Sequence, residues 1–299
     1  MTFHHRLHVY AEIAQPILDS LGLRLTAKPT LSGRKLLIED VSEDDPSWPR
    51  IATFLEEYHR AWLSHPESAE SVADYGATRD SLADIVTTEF SVAERRAAPY
   101  LALGASVIGF PEPRNDAVEF YRTTYEAVCP ECPVGPRQTL PLCLTSEPRW
   151  GRRRGILQLN WVSDEFLVNP EMFDKVFRPF GITSRPVLAY KSRSALRTVI
   201  QLEIPLKADV RVTEAAVFKT CKACGVRTYS HDRRNYAPMP VGTPGPIFKS
   251  NQYFCPFDLV VYVTQSLFRA IEESGFRGAG FWPCAAQPIT PAWHDERRL

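Results

Sequence analysis

Apolar residues recur along this chain with two different periods, and the periods sort it into elements. Arg34-Lys-Leu-Leu-Ile-Glu39 predicts a short strand, ended by the acidic stretch Glu39–Asp45 and a turn between Pro46 and Pro49. From Pro49 to Leu63, Ile51, Phe54, Leu55 and Trp62 recur at helical spacing, which predicts a helix. Ser91-Val-Ala-Glu94 has the form of a capping box, predicting a helix through Ala98 to about Leu103 with Pro99 as its weak point. Beyond Glu119 the texture changes to strand propensity. Strands are predicted at Phe120–Tyr125, Thr139–Thr145, Gly155–Trp161, Pro186–Tyr190 and Val199–Ile204.

Two later stretches echo each other. Trp161-Val162 precedes a helix predicted near Glu171–Phe180 and then Gly181. Tyr262-Val263 precedes a helix predicted near Ser266–Ser274 and then Gly275. Phe173, Val176 and Phe177 correspond to Leu267, Ala270 and Ile271, and both glycines stand where a left-handed residue ends a helix. Any strand–helix–strand unit has this form, so no function is drawn from it. The pattern as a whole predicts an α+β protein with a mixed or antiparallel sheet in its second half. The Pro-rich Phe110–Asn115 divides an N-terminal α/β subdomain, 1–110, from a second subdomain, 116–286, and a loose tail, 287–299.

Composition narrows the function classes. Hydrophobic residues make up 44 % of 299, enough for a substantial core. Thirty-five basic residues balance 35 acidic ones, whereas a dedicated nucleic-acid binder carries a basic excess that drives counterion release. The opening Met1–Tyr10 lacks the apolar segment and cleavage site of a secretory signal. The longest mostly apolar run, Tyr100–Phe110, is about half the ~20 residues of a membrane-spanning helix. A cytoplasmic location is therefore expected. There the seven cysteines favour thiol or metal chemistry over a disulfide framework.

The cysteines carry the strongest motif. Cys129-Pro-Glu-Cys132 is followed after 88 residues by Cys221-Lys-Ala-Cys224-Gly225. A Cys-x-x-Cys turn points two thiolates into one concavity, and two such turns complete a closed, tetrahedral four-cysteine site for structural zinc. Three other readings compete: a redox pair, two disulfides, or four unrelated buried thiols. A redox pair places its first cysteine at a helix N-terminus, but Pro133-Val-Gly-Pro136 and Gly225-Val-Arg-Thr-Tyr229 do not open helices.

With the two pairs and the surrounding Phe90–Arg96, Gln138–Leu144, Trp161–Phe166 and Leu267–Phe281, the chain resembles the bacterial double-CxxCG family over roughly Ser91 to Ala285. The resemblance implies Cys129, Cys132, Cys221 and Cys224 as the motif positions. Some members of that family look like immunity proteins, which neutralise a bacterial toxin, and the resemblance adds that expectation to a non-enzymatic binding protein, the reading taken from the lack of a catalytic constellation. Pro133 departs from the family pattern, standing where a glycine is expected after the first pair, and that puts the first knuckle's geometry in question.

The remaining candidates are weaker. Cys143, Cys255 and Cys284 read as small buried hydrophobes. His4, His5 and His8 read as exposed residues of an edge strand, and His231 as a spare zinc ligand should Pro133 disturb Cys132. No HExxH, phosphate-binding glycine loop or nucleophile elbow occurs. Arg149-Trp-Gly-Arg-Arg-Arg154 reads as a solvated hairpin loop; a rival function uses it to bind nucleic acid. A second rival is an enzyme whose site is assembled from residues distant in sequence. Ala237–Pro246 belongs to a connection of about 30 residues between Cys224 and Phe254, read as a partner-contacting loop or a disordered one.

Overall fold

The structure, a computed structural model, describes residues 2–25, 27–29, 35–63, 83–105, 107–108, 123–132, 134–159, 162–231, 236–254 and 258–285. It divides into two compact units. The first comprises Met1–Ser91, Arg233–Asn235 and Ala292–Leu299, and the second Val92–Asp232 and Tyr236–Pro291. The division falls at Ser91/Val92 rather than at the Pro-rich Phe110–Asn115, because Tyr100–Ala105 pairs deep within a sheet of the second unit.

The first unit contains β1 (Thr2–Tyr10), α1 (Ala11–Ser20), β2 (Ala27–Pro29), β3 (Lys35–Ser42), α2 (Trp48–Leu63) and β4 (Ala83–Glu89). Its sheet runs β2-β3-β1-β4, antiparallel throughout. The strand carrying His4, His5 and His8 is therefore paired on both sides, not an edge. Ile51, Phe54, Leu55 and Tyr58 of α2 close the core against Ile13, Ala14 and Leu18 of α1. Helix α2 follows the sequence pattern; α1, with Pro16 inside it, does not announce itself.

In the second unit α3 (Val92–Ala97) starts at the predicted capping box but stops early. Pro99 disfavours helical backbone at Ala98, and the apolar run that follows is β5 (Tyr100–Ala105) instead. Leu101 and Leu103 face one core and Ala102 another, the alternation of a strand buried on both faces. Next come β6 (Val107–Ile108), β7 (Tyr125–Glu126), β8 (Arg137–Gln138), β9 (Cys143–Leu144), β10 (Ile156–Leu159) and β11 (Val162–Val168). Of the strand expected over Thr139–Thr145 only Cys143–Leu144 forms, after Pro141, which has no amide to pair. Of the strand expected at Phe120–Tyr125, Phe120–Arg122 lie outside the described residues, as do Asn160 and Trp161; Thr123 and Thr124 are helical and only Tyr125 is strand.

After β11, α4 (Pro170–Met172) is capped by the Asn169 carboxamide, which accepts from the Met172 amide at 2.7 Å. It continues as a π-turn, Phe173–Phe177, and a 3-10 turn that ends at Gly181 with φ +74°. Then follow β12 (Thr183–Ala189), β13 (Ala195–Glu203), β14 (Lys207–Val210), β15 (Val217–Thr220), β16 (Arg227–Tyr229) and β17 (Pro240–Val241). The chain closes with β18 (Ile247–Phe254), β19 (Asp258–Thr264), α5 (Gln265–Ser274) and β20 (Ala279–Pro283).

These strands form a six-stranded sheet, β6-β10-β11-β13-β12-β9, and an eight-stranded one with the path β15-β16-β18-β19-β5-β20. With both mixed and antiparallel pairings, the fold is α+β. The echo seen in the sequence has a topological counterpart. β10-β11-β13-β12 and β18-β19-β5-β20 are equivalent strand orders. In each, a helix joins two parallel strands across an antiparallel third. Phe173, Val176 and Phe177 share one core with Leu267, Phe268 and Ile271, and Phe166 and Val168 meet Val261 and Val263 there. The opposite faces of the sheets are covered too, around Leu157, Leu167 and Val199 in one and Phe248, Phe254 and Tyr262 in the other.

The Ala237–Pro246 segment is not a free loop. Pro240 and Val241 pair with Val210 and Asp209, the Arg211 amide donates to Met239 at 2.9 Å, and the Tyr262 hydroxyl donates to the Pro238 carbonyl at 2.8 Å. Each contact satisfies a backbone group that the prolines leave without a helical or central-strand partner. Disorder is thereby corrected to anchored, irregular structure.

Candidate metal centre

Each Cys-x-x-Cys pair sits at the tip of a two-stranded ribbon. The second lies between β15 and β16, whose register places Thr220 opposite Arg227. The Cys221 amide donates to the Val226 carbonyl at 2.8 Å, and the Gly225 amide to the Cys221 carbonyl at 2.9 Å. Closing so tight a loop needs a left-handed residue, and Gly225 has φ +72° with open space around its Cα. The amides of Ala223 and Cys224 then point at the Cys221 sulfur, and the Val226 amide at that of Cys224.

The first pair lies between β7 and β8, where Tyr125 faces Gln138 and Glu126 faces Arg137. Pro133 is outside the described residues, but its neighbours show how the turn is made. The Val134 amide reaches the Cys132 sulfur as the Val226 amide reaches Cys224. The left-handed position is taken by Gly135, φ +74°, two residues beyond the expected glycine. A Cβ on Gly135 would stand 2.8 Å from the Tyr253 hydroxyl, so glycine is required there for space as well as conformation.

The two tips meet. The Cys129 and Cys221 sulfurs are 3.9 Å apart, those of Cys132 and Cys224 are 3.7 Å apart, and all four lie within 4.8 Å of one another. A tetrahedral ion with metal–sulfur bonds of about 2.3 Å requires sulfur–sulfur edges of about 3.8 Å. Cys129 and Cys221 are buried, Cys132 partly so and Cys224 exposed. The donor set is soft and all-thiolate, so the cluster can hold a metal ion. None of these cysteines is in a disulfide.

The thiols of Cys132, Cys221 and Cys224 influence one another's titration. The Cys224 and Ala223 amides, helped by the sulfurs of Cys224 and Cys132, draw Cys221 down to about 6. At Cys132 the Val134 amide pulls the other way, but burial and the neighbouring sulfurs push the thiol up to about 12. One negative charge is therefore readily accommodated and the next are opposed, the situation a divalent cation relieves.

The other candidates fall elsewhere. His231 stands apart from the cluster, its ring against Phe254 with centroids 5.6 Å apart, so it is not a spare ligand. Cys143 is buried and accepts a hydrogen bond from the Arg193 guanidinium at 2.8 Å. Burial raises the Cys284 thiol to about 12, and Cys255 lies outside the described residues. Arg149 and Arg152–Arg154 are exposed. Among the described residues no helix is long and apolar enough to cross a membrane.

One cluster was not anticipated. Lys249, 8 % exposed at its side chain, donates to Asp164 at 2.8 Å and Glu165 at 2.7 Å, and fully buried Gln201 donates to Glu165 at 2.6 Å. Lys249 shares the strand face of Ile247, towards the other sheet. The two carboxylates are adjacent in sequence and would ordinarily point to opposite faces. A bulge re-aims them: Gln158 pairs with Phe166 but Leu159 with Val162, leaving 163–165 without strand partners on that side. Burial opposes the Lys249 charge, but Glu165 and Asp164 outweigh it and hold its pKa above the ordinary lysine value. The available signal was a lysine inside the apolar Ile247-Phe-Lys-Ser250 and an acidic pair inside the apolar Val162–Val168.

Compared with protein-family models, with curated proteins and with solved structures, the chain matches none.

Proposed function

We propose that Cys129, Cys132, Cys221 and Cys224 hold one structural zinc ion, and that the chain is a non-enzymatic, cytoplasmic protein-binding protein of immunity type. The observation that carries the metal reading is the meeting of four sulfurs from two ribbon tips 92 positions apart, all within 4.8 Å, with the two pairs across the tips at 3.9 and 3.7 Å, close to the edge of a zinc tetrahedron. Four thiolates fill the coordination sphere and leave no position for water or substrate, which favours a structural role. The protein-partner reading rests on the resemblance to the double-CxxCG family, in which some members are similar to immunity proteins.

The metal reading is tested by elemental analysis of purified protein after gel filtration. About one zinc per chain is expected, with metal–sulfur distances near 2.3 Å by X-ray absorption. Protein that is fully folded without metal, with all four thiols freely alkylated, would contradict it. The partner reading is tested by mixing the chain with the product of any toxin gene beside its own. A stable stoichiometric complex that abolishes toxicity is expected, and unimpeded toxicity would refute it.

A further inference from the structure

The second unit contains a cleft of about 660 Å³, lined by the first residues of β11 and β19, the ends of β12 and β13, and the β8 ribbon. Its size is that of a site for a small organic molecule. Lys249, Asp164 and Glu165 line its floor, and behind them fully buried Gln201 donates to Glu165 at 2.6 Å and accepts from the Gln138 carboxamide at 3.0 Å. Charged groups of both signs line it in equal number: Arg137, Arg185, Lys207 and Lys249 against Asp164, Glu165, Glu203 and Asp258.

The balance is only formal, because every carboxylate already has a partner, whereas three of the four cations keep unpaired donors. Glu165 is held by Lys249 and Gln201, Asp164 by Lys249, Glu203 by Arg185 at 3.1 Å, and Asp258 by the Ser163 hydroxyl. On the donor side, the Arg185 Nε is buried with no hydrogen-bond partner. Among the described residues, Lys207 and Arg137 have no carboxylate within ion-pair distance. Lys207 lies at the mouth with its ammonium 5.8 Å from the centre of the Tyr253 ring. Partial desolvation and the nearby Lys249 charge lower its pKa, so an approaching anion would be favoured there. A buried donor without a partner costs free energy that a ligand oxygen recovers.

We propose that this cleft binds a small organic oxyanion, a carboxylate or a phosphate, which takes its hydrogen bonds from Lys207, Arg185 and Arg137. The anionic oxygens sit at the mouth between these donors, and the polar remainder of the ligand reaches towards the Gln138 carboxamide. None of these donors is a metal ligand; Arg137 belongs to the β7–β8 ribbon that carries Cys129 and Cys132, whereas Arg185 and Lys207 lie outside both cysteine ribbons. The cleft is a second, small-molecule site beyond the proposed protein partner.

The full chain is titrated calorimetrically with succinate and, separately, with inorganic phosphate, at low ionic strength and in a buffer free of both. Saturable binding of one of them, one per chain, is expected, and the anion that binds names the source of the oxyanion. Lys207→Ala and Arg137→Ala, both at exposed positions, should each weaken it about tenfold while leaving the melting temperature unchanged. Arg152→Ala, a basic residue that does not line the cleft, should leave binding intact. Absence of binding by either anion at millimolar concentration would overturn the proposal. So would equal binding by wild type and both cleft variants, or equal weakening by Arg152→Ala.

Discussion

Replacing Cys221 by serine removes one sulfur from a cluster that ties two short ribbons together. Beyond the cluster, the first ribbon is tied to the sheets by the Gln138–Gln201 hydrogen bonds and the second by the pairing of β16 with β18. β7 and β8 form a two-stranded sheet of their own, and β15–β16 is the end of the eight-stranded path. Isolated two-stranded ribbons are marginal in water. The chain between the tips is 92 positions long, so a permanent tie across it restricts the unfolded state by about 4.6 kcal/mol on the chain-entropy account of cross-links. A serine hydroxyl is a poor ligand for a soft-site metal, yet three thiolates remain, so a loss of about 2–4 kcal/mol is expected. For a unit of this size that lowers the melting temperature by roughly 5–15 °C. The loss should be local. Hydrogen exchange at 125–138 and 217–229 should accelerate roughly thirtyfold or more, since each ~1.4 kcal/mol is a factor of ten. β10, β11, β13 and β19, locked by the core around Phe166, Leu202 and Val263, should change less, and β1, α1 and α2 not at all. Exchange measured by mass spectrometry on metal-loaded wild type and variant decides the matter. Equal protection at 125–138 and 217–229 in the two proteins would show that the cluster does not hold the ribbons.

Three further outcomes follow from the geometry. Lys249→Ala leaves Asp164 and Glu165 facing each other without their cation and should cost about 3–5 kcal/mol in denaturant unfolding; a cost under about 1 kcal/mol would mean the network is wet. Glu147 accepts from the Arg197 amide at 2.6 Å, the Thr198 amide at 3.0 Å and the Thr198 hydroxyl. Burial opposes its charge, but these bonds, the hydroxyl's foremost, hold its pKa below the ordinary 4.5. Its contribution is therefore present above the unfolded value and lost as pH falls through the folded one, so Glu147→Gln should flatten the wild-type decline in stability below about pH 4.5, and parallel pH curves would refute this. Arg152→Ala, Arg153→Ala and Arg154→Ala together should change unfolding free energy by no more than about 0.5 kcal/mol, because all three side chains are exposed; a large fall in melting temperature would contradict that.

Local pattern was enough for the elements whose residues decide their own conformation. Helix α2 follows from apolar spacing, the ends of the 3-10 turn after α4 and of α5 from Gly181 and Gly275, and β13 from the β-branched run Thr198-Val-Ile200. The cysteine cluster was legible because Cys-x-x-Cys spacing is itself a local geometry, and a metal is the common reason for repeating it. Legibility failed where long-range partners decide. Tyr100–Ala105 carries an apolar run that suits helix or strand, and only β19 and β20 on either side make it a strand. Pro240–Val241 reads as loop until Val210 and Asp209 supply partners. Asp164, Glu165 and Lys249 are 84 or more positions apart across the pair, and nothing local marks them as neighbours. A bulge in β11 and the packing of two sheets bring them together. What the sequence determined by itself were the two metal-ready turns and the periodic elements, because each is encoded within a few consecutive residues. The cleft, its buried charges and the meeting of the two knuckles were decided by tertiary structure, because each needs backbone segments that approach one another only after the sheets have formed.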